Sequence, residues 1–315
     1  MAEIRNTVGL ETVHPKGSLK RKRFTPYVFI SPFFIIFAIF GLFPILFTFV
    51  LSFADWDGLK PIDWVGIHNY VSLFSDPTFV LSLKNTVILI LFTLPTQILL
   101  ALVLAFILHI GLVRRRDLFQ TLLFLPYITT PIAIGMLFSA IFDWKYGLLN
   151  AILLKMHLIS EAIPWLQTAM YSKPLLAAIL DWKYTGYTMV LLMAGMKTIP
   201  KDIYESAAID GATVFDSFWR ITLPLLKNIL TFVVITSIVG GFQIFEEPLL
   251  LYSSGASGDQ GFGGPDQSAM TIVMYLYQSA YKFYRWGYAA AIGYVLAIII
   301  LGCSLLSMKL MSRRG

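Results

Sequence analysis

The sequence predicts an all-α integral membrane protein of six transmembrane helices, with both termini cytoplasmic and a short cytoplasmic helix between the fourth and fifth spans. Three observations predict it. Of the 315 residues, 57% are hydrophobic and 13% charged, with mean hydropathy +0.74, whereas soluble domains carry roughly 25% charged residues. Six continuously apolar stretches are long enough to cross a hydrocarbon core of ~30 Å, which takes about 20 helical residues. Basic residues gather at alternate ends of those stretches, as membrane orientation requires. A β-barrel is excluded because barrel strands alternate apolar and polar residues, and these stretches do not.

In chain order, residues 1–26 read as a polar cytoplasmic tail ending near the run Lys20-Arg21-Lys22-Arg23. The tail has no apolar face and is expected to be poorly ordered. The first apolar stretch is too long for the core of a cleavable signal. The membrane domain, 27–311, has spans at about 27–53, 86–110, 120–142, 174–196, 227–250 and 287–311, and residues 312–315 form a cytoplasmic tail. Pro126 and Pro131 interrupt the third span, which membrane helices tolerate when neighbours satisfy the freed carbonyls. The side that takes both tails, Arg114 to Arg116 and the 197–227 segment holds 16 of the 24 Lys and Arg residues. The other side holds 8 of them and 11 of the 18 acidic residues. The positive-inside rule makes the first side cytoplasmic. The net charge of +6 is thus spent on orientation, and nucleic acid is not an expected partner. The single cysteine, Cys303, excludes an intrachain disulfide and a multi-cysteine metal site. It reads as a small apolar filler, and no metal is expected.

The outer loops, 54–85, 143–173 and 251–286, are rich in Trp, Tyr and Asp. Such aromatics anchor the chain at the membrane boundary or dock a soluble partner. The glycine-rich stretch 255–265 lacks the Lys-Ser/Thr ending of a phosphate-binding loop.

The cytoplasmic loop 199–226 is unusual for its length and its low polarity. Asp202 reads as an N-cap with Glu205 three residues on, as in a capping box, and Gly211 as the C-terminal stop. A second short helix is expected to carry Phe215, Phe218 and Trp219 on one side, and Pro224 restarts the chain into span five. Two short amphipathic helices here suggest interfacial anchoring or docking to a cytoplasmic protein.

Glu205-Ser206-Ala207, then Gly211, then Ile221, Leu223 and Pro224 resemble the cytoplasmic signature of importer-type ABC transporter permeases: E-A-A, a glycine four places later and I-x-L-P after nine more. Ser206 replaces the usual alanine, and Asp210-Gly211-Ala212 resembles the usual D-G-A. The resemblance covers about residues 25–311. It is similar to the carbohydrate-uptake branch through the start of span one, GIHNYVSLFSDPTF in the first outer loop, RWGYAAAIGYVLAIII, and Gly263-Gly264-Pro265. It departs there by the extra residues Ser254 to Phe262. Within that branch the order of features is similar to the larger-type permease of maltose and oligosaccharide importers.

The resemblance implies a transport subunit with no catalytic residue and no cofactor of its own. It further implies a second homologous permease, two copies of a cytoplasmic ABC ATPase that uses ATP and Mg, and an extracytoplasmic solute-binding protein. Glu205, Ser206, Ala207, Ala208, Asp210, Gly211, Ile221, Leu223 and Pro224 would then couple the chain to the ATPase. Ala207 and Ala208 allow close approach, and Glu205 offers a carboxylate to a basic or backbone partner.

Cargo sites lie near the bilayer midplane. Ser237, about 11 residues beyond Leu226, is ~16 Å deep, with Gly241 and Ile244 on its face, and Tyr187 is ~15 Å deep. By resemblance, Tyr187, Ser237, Gly241 and Ile244 fall where the maltose importer's corresponding subunit contacts sugar, although Gly241 and Ile244 stand where polar residues are usual. Gly240, Gln243, Trp182 and Tyr184 complete the candidate pathway. Helix packing by small residues is the alternative for Ser237, Gly240 and Gly241, and an aromatic belt for Trp182 and Tyr184. Glu246 and Glu247 read as solvated at a span's outer end, and His109 as satisfied at a helix terminus. An ion-coupled secondary transporter would need ionisable groups deep in the spans, and none is expected near the midplane. Import of a non-sugar solute such as a glycerol-phosphate compound stays open. No HExxH, no GxSxG and no intramembrane Asp pair marks an enzyme.

Overall fold

The computed structural model describes residues 19–253 and 262–312. The chain forms two compact units, residues 1–50 and 51–315. The first is a nearly continuous helix: α1 (Leu19–Phe37), a π-helical turn (Ala38–Leu42) and α2 (Phe43–Leu51). It begins at Leu19, not at Tyr27, and so takes in the KRKR run that the sequence placed in the tail. Lys and Arg are good helix formers and extend the apolar helix outward. The rest of the tail lies outside the described residues.

The second unit opens with two antiparallel strands of two residues each, β1 (Ala54–Asp55) and β2 (Asp63–Trp64), a small addition to the all-α prediction. Next come α3 (His68–Ser75) and α4 (Pro77–His109). The α4 helix starts nine residues before the expected span because Asp76 caps it, accepting from the amides of Thr78 and Phe79, with Pro77 at the first position, where no amide is needed.

The expected third span is two helices, α5 (Arg116–Ile128) and α6 (Pro131–Ile141), bent by 96°. Pro131 drives Thr130 into extended backbone (φ −64°, ψ 141°), because its ring excludes the helical conformation from the residue before it. The Thr130 hydroxyl then caps α6. The chain continues through α7 (Leu148–Lys155), α8 (Ala169–Met196), α9 (Lys201–Ile209), α10 (Val214–Ser217), a π-turn (Phe218–Thr222) and α11 (Leu223–Leu225). It then enters α12 (Lys227–Phe242) across a 69° bend. The fifth expected span also breaks at Gln243–Phe245, and the chain resumes in α13 (Glu246–Ser253). A 3₁₀ turn (Pro265–Gln267), α14 (Ile272–Tyr277), a second π-turn (Gln278–Lys282) and α15 (Trp286–Ser312) complete it. Most of the extra residues noted at Ser254 to Phe262, and of the glycine-rich stretch 255–265, lie outside the described residues.

Among the described residues, three segments are long and apolar enough to cross a membrane, Pro26–Leu51, Pro77–His109 and Trp286–Met311, and the two bent pairs make up to five. The 28-residue α8 carries Lys173, Asp181 and Lys183.

The core of the second unit is α4 against α8, flanked by α5, α12 and α15. Contact is close where side chains are absent. A Cβ at Gly186 of α8 would strike the Leu123 carbonyl of α5, so glycine lets the two backbones meet. Buried polar residues on α4 hold the outer loop. Asn85 Nδ2 donates to the carbonyls of Gln267 and Met270, and Thr86 Oγ1 accepts from the Ile272 amide. Asp76 Oδ2 accepts from the hydroxyls of Tyr275 and Tyr288. Burial raises the Asp76 carboxyl, but these hydrogen bonds with those of Thr78 and Phe79 outweigh it and hold it below its ordinary value.

Candidate functional site

The turns of α4, α5, α8 and α12 that face one another enclose a cavity of about 200 Å³. Six of the sequence-predicted residues, Tyr184, Tyr187, Ser237, Gly240, Gly241 and Ile244, meet there. Periodicity brings them together: Tyr184 and Tyr187 lie three apart on α8, and Ser237, Gly240 and Gly241 at three and four on α12. Residues that the sequence reading missed supply most of the remaining polar wall: Thr93 and Gln97 of α4, Thr188 of α8 and Thr236 of α12, with Tyr127 of α5. Thr93, Gln97 and Thr236 sit in stretches that read as unbroken membrane helix, and nothing local marks them.

Tyrosine rings form one side. Tyr127 stacks on Tyr187 with centroids 4.5 Å apart and planes 16° apart, and lies 6.0 Å from Tyr184 edge-on. Gln97 Nε2 donates to Thr188 Oγ1 at 2.7 Å, fixing the amide against the wall. None of the residues lining the cavity is charged. The glycines differ. A Cβ at Gly241 would come within 2.7 Å of Ile90 Cγ1, whereas one at Gly240 would meet nothing within 4 Å. Gly241 therefore serves helix packing, and Gly240 keeps space open.

Two predicted pathway residues are elsewhere. Gln243 caps α12 and is exposed, because six residues beyond Ser237 it falls on a different face. Trp182 packs edge-on against Phe138 at 5.2 Å and lines a separate apolar groove with Asp181, Thr185 and Gly186, because it lies on another face of α8 from Tyr184 and Tyr187.

Glu247 is not solvated as expected. Its side chain is 5% exposed and its Oε1 lies 2.6 Å from Nζ of Lys183, itself 8% exposed. The Tyr184 hydroxyl donates to the same oxygen at 3.0 Å. After the break at Gln243–Phe245, α13 packs mainly on α6 and also touches α8, which brings the pair together. Asp181 lies in the middle third of α8, where no ionisable group was expected. Its Oδ2 accepts from Thr96 Oγ1 at 2.6 Å.

The predicted coupling segment forms α9 to α11. No residue of α9 is buried, and Ile209 at its end is 87% exposed, with Phe215 and Trp219 also exposed. The N-cap is Pro200, with no side-chain cap, so the Asp202–Glu205 capping box is absent. A capping box forms instead at α10, where Asp216 N donates to Thr213 Oγ1 at 3.1 Å and the Thr213 amide donates back to Asp216 Oδ2 at 3.2 Å, joined by the Thr213 hydroxyl at 2.5 Å. Those bonds, side-chain first, hold the Asp216 carboxyl below its ordinary value. Gly211 ends α9 as expected, at φ +82°. Its amide donates to Ala208 O, and that of Ala212 to Ala207 O at 2.9 Å, a Schellman closure that favours glycine. The expected aromatic face is partly inward: Phe218 packs on Phe106 at 4.6 Å. Thr222 is buried and meets the Tyr204 hydroxyl at 2.9 Å, tying α9 to the Ile221-x-Leu223-Pro224 turn.

Comparison with known proteins identifies the family. Residues 82–314 match the family described as binding-protein-dependent transport system inner membrane component. The chain is 36% identical over 312 residues to the arabinooligosaccharides transport system permease protein AraP of Bacillus subtilis, covering 95% of each. It is 34% identical over 287 residues to the lactose transport system permease protein LacF of Rhizobium radiobacter, covering 90% of this chain and 93% of that one. The fold matches a chain of the bacterial alginate ABC transporter in complex with an alginate pentasaccharide-bound periplasmic protein, with TM-score 0.76, 25% identity, and 95% and 98% of the two chains covered. With most of its length matching one family, and its fold shared with a solved ABC transporter chain, this protein belongs to the binding-protein-dependent transport system inner membrane components.

Proposed function

We propose that the chain is one of two homologous membrane subunits of an ATP-driven importer that carries a sugar, a di- or oligosaccharide, delivered by an extracytoplasmic binding protein. The observation that carries the reading is the uncharged cavity in which three tyrosines and four hydroxyl-bearing side chains converge. Sugars offer apolar ring faces and many neutral hydroxyls, and this wall offers their complement. Ligand sites usually enclose ~300–1,000 Å³. A cavity of about 200 Å³ on one chain is therefore part of a site, completed by the second permease. The relatives' named cargoes, arabinooligosaccharides and lactose, support the same class.

In this reading six spans cross the membrane with both termini cytoplasmic, and α9 seats in a groove of a separate ATPase, which holds ATP and Mg. Alternating access exposes the cavity to each side in turn. A glycerol-phosphate cargo is disfavoured, since an anion would need a cation in the wall. Asp181, a carboxyl in the middle third of α8, is an observation that favours an ion-coupled carrier instead. Proteoliposomes holding both permeases and the ATPase should take up labelled arabino-oligosaccharide or lactose only with binding protein and internal ATP. Uptake driven by a proton gradient without ATP would overturn the reading in favour of the ion-coupled carrier.

A further inference from the structure

Where the apolar part of α4 ends, a second cavity of about 370 Å³ opens among α4, α5, the end of α8 and the start of α9. Its polar wall is His109, Arg116, Gln120, Lys197, Lys201 and Tyr204. The one acid lining it, Asp117, lies 3.6 Å from Arg116 Nε, with the Asp117 side chain 92% and the Arg116 side chain 60% exposed, so this pair is open to solvent at the rim. Among the described residues, no carboxylate is paired with Lys197 or Lys201. The Tyr204 ring lies 6.0 Å from that of His109, and its hydroxyl is taken by Thr222, so it forms wall.

Two helices begin at this cavity, α5 at Arg116 and α9 at Lys201. Their N-caps, Arg115 and Pro200, place no side chain on the first amides. Uncapped helix starts carry partial positive charge and attract anions. Three fixed cations and two helix starts therefore converge on one concavity, floored by Leu108, Met193 and Ile199. The site lies at the end of the 33-residue α4, the level at which a spanning helix meets the phosphate layer of a bilayer.

We propose that this cavity binds a phosphate group, carried by an anionic phospholipid headgroup or by free phosphate. The arginine fork and two lysine ammoniums match a tetrahedral oxyanion, and the apolar floor matches the first carbons of an acyl glycerol. The residues of the site stand apart from the cargo cavity. Its consequence, that occupancy steadies the first turn of α9, rests on the coupling role proposed above.

The test uses the full-length chain in phosphatidylcholine nanodiscs doped with labelled phosphatidylglycerol, with retained lipid measured by native mass spectrometry. The wild type is expected to retain phosphatidylglycerol in preference to phosphatidylcholine. Lys197→Gln combined with Lys201→Gln should weaken that preference roughly 25-fold, about fivefold per lysine. Arg116→Gln, at an exposed helix start, is the second variant should the first not assemble. Inorganic phosphate at excess separates the sources: displacement of the lipid, with labelled phosphate bound in its place, assigns a free anion, and no displacement assigns the headgroup. Equal retention of the two lipids with no phosphate bound would overturn the proposal, as would a preference unchanged in the variants. Either negative result leaves the sugar reading untouched, because neither assay involves cargo.

Discussion

Replacing Glu247 with leucine tests whether the buried ion pair holds α13 against α8. Lys183 Nζ and Glu247 Oε1 are 2.6 Å apart, and both side chains are almost wholly enclosed. Removing the carboxylate strands an ammonium where water cannot reach it, at a cost of about 3–5 kcal/mol. The Tyr184 hydroxyl loses its acceptor as well, worth ~1 kcal/mol. A total of about 5 kcal/mol lowers the folded-to-unfolded ratio roughly 4,000-fold, since ~1.4 kcal/mol is a factor of ten. The double variant Lys183→Met with Glu247→Leu strands no charge and should recover most of the loss, because apolar replacement of a buried pair is often neutral or stabilising. By contrast, Lys60→Ala should cost under ~1 kcal/mol, since the Lys60 side chain, paired with Asp57, is 81% exposed. The assay is reversible unfolding in mixed micelles by detergent titration, followed by tryptophan fluorescence. A Glu247→Leu protein as stable as wild type, or a double variant no better than the single, would refute the reasoning.

Three further outcomes are expected. Gly240→Leu should abolish sugar uptake while thermal stability stays within ~1 kcal/mol of wild type, because a side chain there enters open cavity, whereas Gly241→Leu should destabilise the fold by clashing with Ile90; the reverse pattern would reassign the two glycines. Gly211→Val forces a β-branched residue to φ +82° and should weaken recovery of the co-purified ATPase about 30-fold, equivalent to ~2 kcal/mol at an interface anchor, with normal membrane insertion; equal ATPase recovery would refute the docking of α9. Asp76 has a carboxyl held below its ordinary value in the folded state, so its contribution is present above the unfolded carboxyl range and is lost as pH falls through the folded value. Stability should be flat from neutral pH and decline below about pH 4, and Asp76→Asn should remove that part of the acid loss, as read from melting curves across pH.

Local sequence by itself determined which segments are apolar helix, because a run of some 20 apolar residues has no other low-energy state in lipid. It also determined the end of α9, since a Gly211 at positive φ closes a helix through bonds to residues three and four back. Depth along the spans singled out Tyr187 and Ser237, and helical periodicity set Gly241 and Ile244 on the face of Ser237. Other features needed the tertiary structure. The right-angle turn between α5 and α6 depends on whether neighbours tolerate a break at Thr130-Pro131 as well as on the proline. Thr93, Gln97 and Thr236 became wall residues only when α4 and α12 met across α8, and a hydroxyl bonded to its own helix gives no sequence signal. Glu247 looked solvated because the sequence shows its distance from the end of a span and not the partner. Lys183 lies 64 residues earlier in the chain, and only the fold brings an ammonium to that carboxylate. Helix formation is decided within a few residues, while burial and pairing of charge are decided between helices, so the sequence revealed the first and the structure the second.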